Sequence, residues 1–172
     1  MRNWCWVLAV AAVWMMGCQK QRAIPEAGQS MTPAEKMAVE ESVRGFMARV
    51  SQEVTTEGPT AWSKEFENGP NFFMASEGKL AFASGEAAAK AIPDLPKMIK
   101  KIALRWENDL RVDVLTANLA MVGTTYQEVR ESPDGEETTE NGYFTGLVEK
   151  QDGQWRFRDA HWSVVAPEAK KP

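Results

Sequence analysis

The sequence predicts an α+β fold in which a long first helix and shorter helices pack on one face of an antiparallel sheet. Two changes of period carry this reading. Val39, Val43, Phe46, Met47, Val50 and Val54 recur at spacings of three and four, which is one apolar stripe of a helix. From Trp106 onward the period becomes two, with Leu110, Val112 and Val114 alternating with Arg111 and Asp113, as in a half-buried strand. Helices first and a meander of strands afterwards place the helices on one side of the sheet.

Each element follows from local chemistry. Thr32-Pro33-Ala34-Glu35 opens the first helix: Thr32 caps it, Pro33 suits the first helical position, and Glu35 completes a capping box. Gly58-Pro59 stops it. A short second helix has Trp62 and Phe66 one turn apart and ends at Asn68-Gly69-Pro70. Residues 72–83 read as a hairpin turning near Glu77-Gly78. Ser84 caps a third helix, interrupted by Pro93 and Pro96, and Lys97 to Arg105 reads as an amphipathic helical run with Lys97, Lys100, Lys101 and Arg105 opposite Met98, Ile99 and Ile102. Strands follow over about 119–130, 138–149 and 155–165, separated by turns at Pro133-Asp134-Gly135 and Asp152-Gly153.

The beginning of the chain reads as an address. Arg2 precedes an apolar run from Trp4 to Met16 that carries no charge. At 1.5 Å per residue the run reaches about 20 Å, short of a bilayer core of roughly 30 Å, so it suits a signal peptide better than a span. It ends at Met15-Met16-Gly17-Cys18, which resembles the bacterial lipobox. That resemblance implies cleavage before Cys18 and its acylation with diacylglycerol and palmitate, with membrane attachment through the lipidated cysteine. Cys5 would leave with the signal, so the mature chain would hold one cysteine and no internal disulfide. The same resemblance implies the cell envelope of a bacterium; Gln19 rather than Asp after the cysteine is similar to lipoprotein sorting signals that favour the outer membrane, facing the periplasm, if the source is Gram-negative. The expected organisation is a lipoprotein signal peptide over residues 1–17, a flexible tether over 18–30, a domain over 31–166 and a disordered tail over 167–172.

Composition excludes several classes. The 172 residues carry a formal charge of -4, far from the basic footprint of a nucleic-acid binder. With one His and two Cys there is no metal-ligand spacing, and no metal or cofactor is expected. Gly78-Lys79 lacks the rest of a P-loop. The acidic stretch Asp134-Gly135-Glu136-Glu137 with Glu140 lacks the pattern of a calcium loop and reads as a solvated hairpin tip.

Three stretches carry a family resemblance: the amphipathic opening helix; Phe72-Phe73-Met74-Ala75-Ser76-Glu77-Gly78-Lys79 leading through Ser84-Gly85-Glu86 into a helix; and Gly153-Gln154-Trp155-Arg156-Phe157-Arg158-Asp159-Ala160-His161-Trp162-Ser163. Together they resemble the SnoaL-like branch of the nuclear transport factor 2-like superfamily. The resemblance implies a cone, in which a strongly curved antiparallel sheet and a long helix enclose a pocket, and in its catalytic members acid–base work by pocket carboxylates, His and Tyr.

Strict alternation in the last strand puts Trp155, Phe157, Asp159, His161 and Ser163 on one face, and that face is expected to line the pocket. A hydrolytic triad of Asp159, His161 and Ser163 is opposed by geometry. Same-face neighbours lie about 6.8 Å apart, and no nucleophile elbow surrounds Ser163. The ligand-binding candidates are Trp62, Tyr126, Tyr143, Trp155, Phe157, His161 and Ser163. Asp159, His161 and Tyr143 are the acid–base candidates, with Asp113 and Tyr126 behind them; Asp113 beside Arg111 also reads as a solvated pair. Three functions stay open: a lipid-anchored module binding a small apolar or amphipathic molecule in the cone, an acid–base enzyme of isomerase, dehydratase or cyclase type, and a protein-interaction module forming a homodimer through the outer sheet face.

Overall fold

The computed structural model describes residues 31–165. The signal, tether and tail readings, Cys18 included, lie outside the described residues. Helix α1 runs Pro33–Glu57 with the expected capping box between Thr32 and Glu35, and Gly58 ends it in a left-handed conformation (φ 85°). A turn of 3₁₀ helix over Pro59–Ala61 leads into α2, Trp62–Glu65. Strands β1 (Phe73–Ser76) and β2 (Lys79–Phe82) form the hairpin, and Ser84 caps α3, Gly85–Ala91. Ile92–Lys97 is 3₁₀ helix. The remaining strands are β3 (Lys101–Trp106), β4 (Arg111–Thr116), β5 (Leu119–Glu131), β6 (Glu137–Gln151) and β7 (Gln154–Val164).

The sheet is curved and mixed, with order β2-β1-β7-β6-β5-β3 and β4 also on β5. All pairings are antiparallel except β1 on β7, which is parallel, so the expectation of a wholly antiparallel sheet needs that correction. The crossover is possible because the chain from β2 returns through α3 and reaches the far edge before the meander begins. One edge of β5 pairs with β6, and the other is shared by two strands, β4 along 119–123 and β3 along 126–131.

A second correction concerns residues 101–105, expected as part of a helical run. They form β3, with Ile102 and Leu104 buried and Lys101, Ala103 and Arg105 outward. So short a window fits either period; pairing with β5 decides it, and Pro96 has already broken the helix upstream.

Helix α1 lies across the concave side. Val43, Phe46, Met47, Val50 and Val54 are buried beneath it, as the stripe requires. Polar contacts fix its register: Trp106 Nε1 donates to the Met47 carbonyl (2.8 Å), Leu104 N–H to Thr55 Oγ1 (3.0 Å), Arg44 to the Leu110 carbonyl (3.0 Å) and Trp155 Nε1 to Ser42 Oγ (2.9 Å). The core continues through Phe157, Phe144, Tyr126 and Trp162, with Phe46 and Phe157 ring centres 5.0 Å apart.

Candidate functional site

The cleft between the sheet and the segment from Pro59 to Ile99 holds about 200 Å³. Its walls are apolar: Trp62 and Phe66 come from α2 and the residue after it, Phe82 from β2, Ile92, Leu95 and Ile99 from the 3₁₀ segment and its exit, and Trp162 from β7. Trp62 meets Trp162 edge to face at 5.7 Å, and Trp162 stacks on Trp106 behind it. Pro93 and Pro96 hold the wall segment in short turns, which lets consecutive apolar side chains face one way.

One side of this apolar cleft is ionic. Glu128 and Arg130 line it from β5, and Arg130 Nε donates to Glu128 Oε1. Glu140 on β6 lies behind them, its Oε2 3.6 Å from Arg130 Nη2 and its Oε1 accepting the Tyr126 hydroxyl at 2.6 Å. Burial pushes the Glu128 carboxyl above the usual carboxylate range, with Arg130 opposing and Glu140 adding to the rise. Burial also pushes the Tyr126 phenol up, and its bond to Glu140 reinforces this. The arrangement can therefore solvate one polar group of a mostly apolar molecule, and it holds a carboxyl able to exchange a proton nearer neutrality than an ordinary glutamate.

Of the residues expected to form the site, Trp62 lines the cleft. Tyr126 is buried one layer behind, its ring 4.8 Å from that of Trp162. Trp155 and Phe157 face inward as expected, but Trp155 packs under α1 and Phe157 fills the middle of the core. His161 and Ser163 are corrections. Both are exposed on the outer face, where Tyr143 and the half-buried Asp159 also lie. Ser163 Oγ donates to the Tyr143 carbonyl at 3.1 Å.

The cause is a β-bulge. Leu147 pairs with Asp159 and Val148 with Phe157, so Arg158 has no partner across the strand. One extra residue shifts the alternation by one, and every side chain beyond it changes face. Trp155 and Phe157 point inward before the bulge; Ala160 and Trp162 do so after it. Trp162, expected outside, becomes a wall of the cleft. Asp113 is exposed and sits 3.7 Å from Arg111, the solvated pair that the sequence suggested.

Glu128, Arg130 and Trp162 were not among the candidates. The first two carried a legible signal: they continue the phase of Ala120, Val122, Thr124 and Tyr126, the inward face of β5, so two charges stand at core-facing positions. A second buried carboxyl lies away from the cleft wall. Glu65 on α2 is fully buried; its Oε1 accepts from Arg49 Nη1 at 3.0 Å, and its Oε2 has no partner among the described residues. The same Arg49 nitrogen reaches Glu53 at 3.2 Å. Burial pushes Glu65 up to about 7; Arg49 opposes this and Glu53 adds to it. Among the described residues no group of three or more His, Cys, Asp or Glu is placed to hold a metal ion, and no helix is long and apolar enough to cross a membrane.

No family model matches the chain, and no curated protein sequence is significantly similar to it. Solved structures do match its shape. A protein from Novosphingobium aromaticivorans, named as a candidate scytalone dehydratase, aligns with a TM-score of 0.67 at 14% identity, covering 78% of this chain and 89% of its own. A nuclear transport factor 2-like superfamily protein from Salmonella enterica aligns with a TM-score of 0.65 at 16% identity, over 78% of this chain and 96% of that one. The hexachlorocyclohexane dehydrochlorinase LinA-type3 from Novosphingobium barchaimii aligns with a TM-score of 0.58 at 13% identity, over 82% and 99%. The curved seven-stranded sheet, the long helix across its concave side and these alignments agree: residues 31–165 have the nuclear transport factor 2-like fold.

Proposed function

We propose that this protein is an exported, lipid-anchored binding module whose domain holds a small, mainly apolar molecule in the cleft. The observation that carries the reading is the cleft itself: aromatic and aliphatic walls with a single ionic patch, Glu128 and Arg130, on one side. Burying apolar surface gives affinity, and a few fixed polar groups give orientation. The reading is tested by native mass spectrometry of the purified chain lacking residues 1–18, to find a co-purifying small molecule. Loss of that molecule in Trp162→Ala, with a retained fold, supports the cleft; retention of full occupancy refutes it.

The acid–base alternative has one observation in its favour, the raised carboxyl of Glu128 inside an apolar cleft. Among the structural neighbours are proteins named as a dehydratase and a dehydrochlorinase. An enzyme of that kind would lose turnover in Glu128→Gln while keeping its ligand. Self-association through the outer sheet face is the third reading. Tyr143, Met121 and Phe73 are exposed there. Sedimentation of wild type against Tyr143→Lys tests it, since a dimer through that face would dissociate.

A further inference from the structure

We infer that the cleft takes a small aromatic carboxylic acid as its anion, one or two rings in size, with the carboxylate on the guanidinium of Arg130. The inference rests on the cleft being a binding site and names what it would select.

Arg130 has five N–H donors. Among the described residues only Nε donates, to Glu128; the approach of Nη2 to Glu140 is 3.6 Å, too long for a hydrogen bond. Glu128 and Glu140 side chains are 5% and 18% exposed, against 38% for Arg130, so the guanidinium is the most accessible of the three charged groups. Glu140 is further occupied by the Tyr126 hydroxyl. A guanidinium with a free edge matches the two oxygens of a carboxylate, which a hydroxyl or an ammonium ion does not. Ser76 also lines the cleft, and its hydroxyl makes no hydrogen bond among the described residues.

Size and shape restrict the rest of the ligand. An apolar cavity of about 150 Å³ accommodates benzene, so a cleft of about 200 Å³ has room for one or two rings. Trp62 and Trp162 stand at 86° to each other and offer a ring both a face and an edge. The groups bearing on Glu128 are Arg130 on its own strand and Glu140 from β6. An anion arriving on Arg130 favours protonation of Glu128, which burial has already made easier.

The test is calorimetric titration of the chain lacking residues 1–18 with 2-naphthoate and with its neutral analogue 2-naphthamide. Naphthoate is expected to bind at least about 10-fold more tightly, the worth of a charged hydrogen bond. Arg130→Gln should erase the preference, and Arg130→Lys should restore part of it, with thermal melting confirming that both variants fold. Equal affinities in the wild type, or a preference that survives Arg130→Gln, overturns the assignment to an anion while leaving the cleft as a binding site. Binding of neither compound overturns both.

Discussion

Replacing Glu65 by Gln should make the domain more stable at alkaline pH, by an amount that the burial of this carboxyl sets. Glu65 is fully buried on α2, with one oxygen on Arg49 and the other unpartnered. Its carboxyl is held at about 7 instead of the ordinary 4.5. At 1.36 kcal/mol per pH unit, the ionised form costs the folded state about 3 kcal/mol, with the help of Arg49 already counted. The sign follows from linkage. A group with a raised folded value contributes its full stability below pH 4.5 and loses it as pH rises through about 7. Most of the total, about 2–3 kcal/mol, is lost between pH 5 and pH 8. Glutamine keeps the shape and carries no charge at any of these pH values. The measurement is urea unfolding of wild type and Glu65→Gln at several pH values, read as the difference between them so that other titrating groups cancel. That difference should move in favour of the variant by about 2–3 kcal/mol. A difference constant to within about 0.5 kcal/mol from pH 5 to pH 8 would refute the reasoning, because it would mean that Glu65 ionises at little cost and is not sealed between α1 and α2.

Three further outcomes follow from particular contacts. Phe46→Ala removes a buried ring packed 5.0 Å from Phe157, and should cost about 3–5 kcal/mol in denaturant unfolding; a loss no larger than that of a surface substitution would show that α1 sits elsewhere. Gly142→Ala places a Cβ 1.9 Å from the Ser163 carbonyl oxygen, so β6 and β7 must separate locally, at a cost of about 1–3 kcal/mol, with faster amide exchange along that pairing. Cys18→Ser should abolish incorporation of labelled palmitate and release the protein from the membrane fraction, and unchanged labelling would remove the lipoprotein reading.

The candidate site was legible only in part, and the reasons are physical. Trp62 was among the candidates, on a short helix where it and Phe66 stand one turn apart between Gly58-Pro59 and Asn68-Gly69-Pro70. Glu128 and Arg130 were visible as charges on the inward phase of β5, but their meaning depends on Glu140 and Tyr126 being near them. Those neighbours come from the pairing of β5 with β6, not from spacing along the chain. His161 and Ser163 were assigned to the pocket by an alternation that is correct up to Phe157 and fails one residue later.

The sequence by itself determined the elements whose cause is local: the capped helix of 25 residues, its buried stripe, the hairpin at Glu77-Gly78 and the long strands around Asp134 and Asp152. These depend on caps, turns and periodicity within a few residues, which a chain carries wherever it folds. Tertiary structure decided the rest. It set the parallel docking of β1 on β7, made Lys101–Trp106 a strand, and bulged Arg158 out of register so that Trp162, not His161, became a wall of the cleft. Each of these is fixed by which strand lies alongside, and a period of two makes the face of every later residue depend on a single unpaired position.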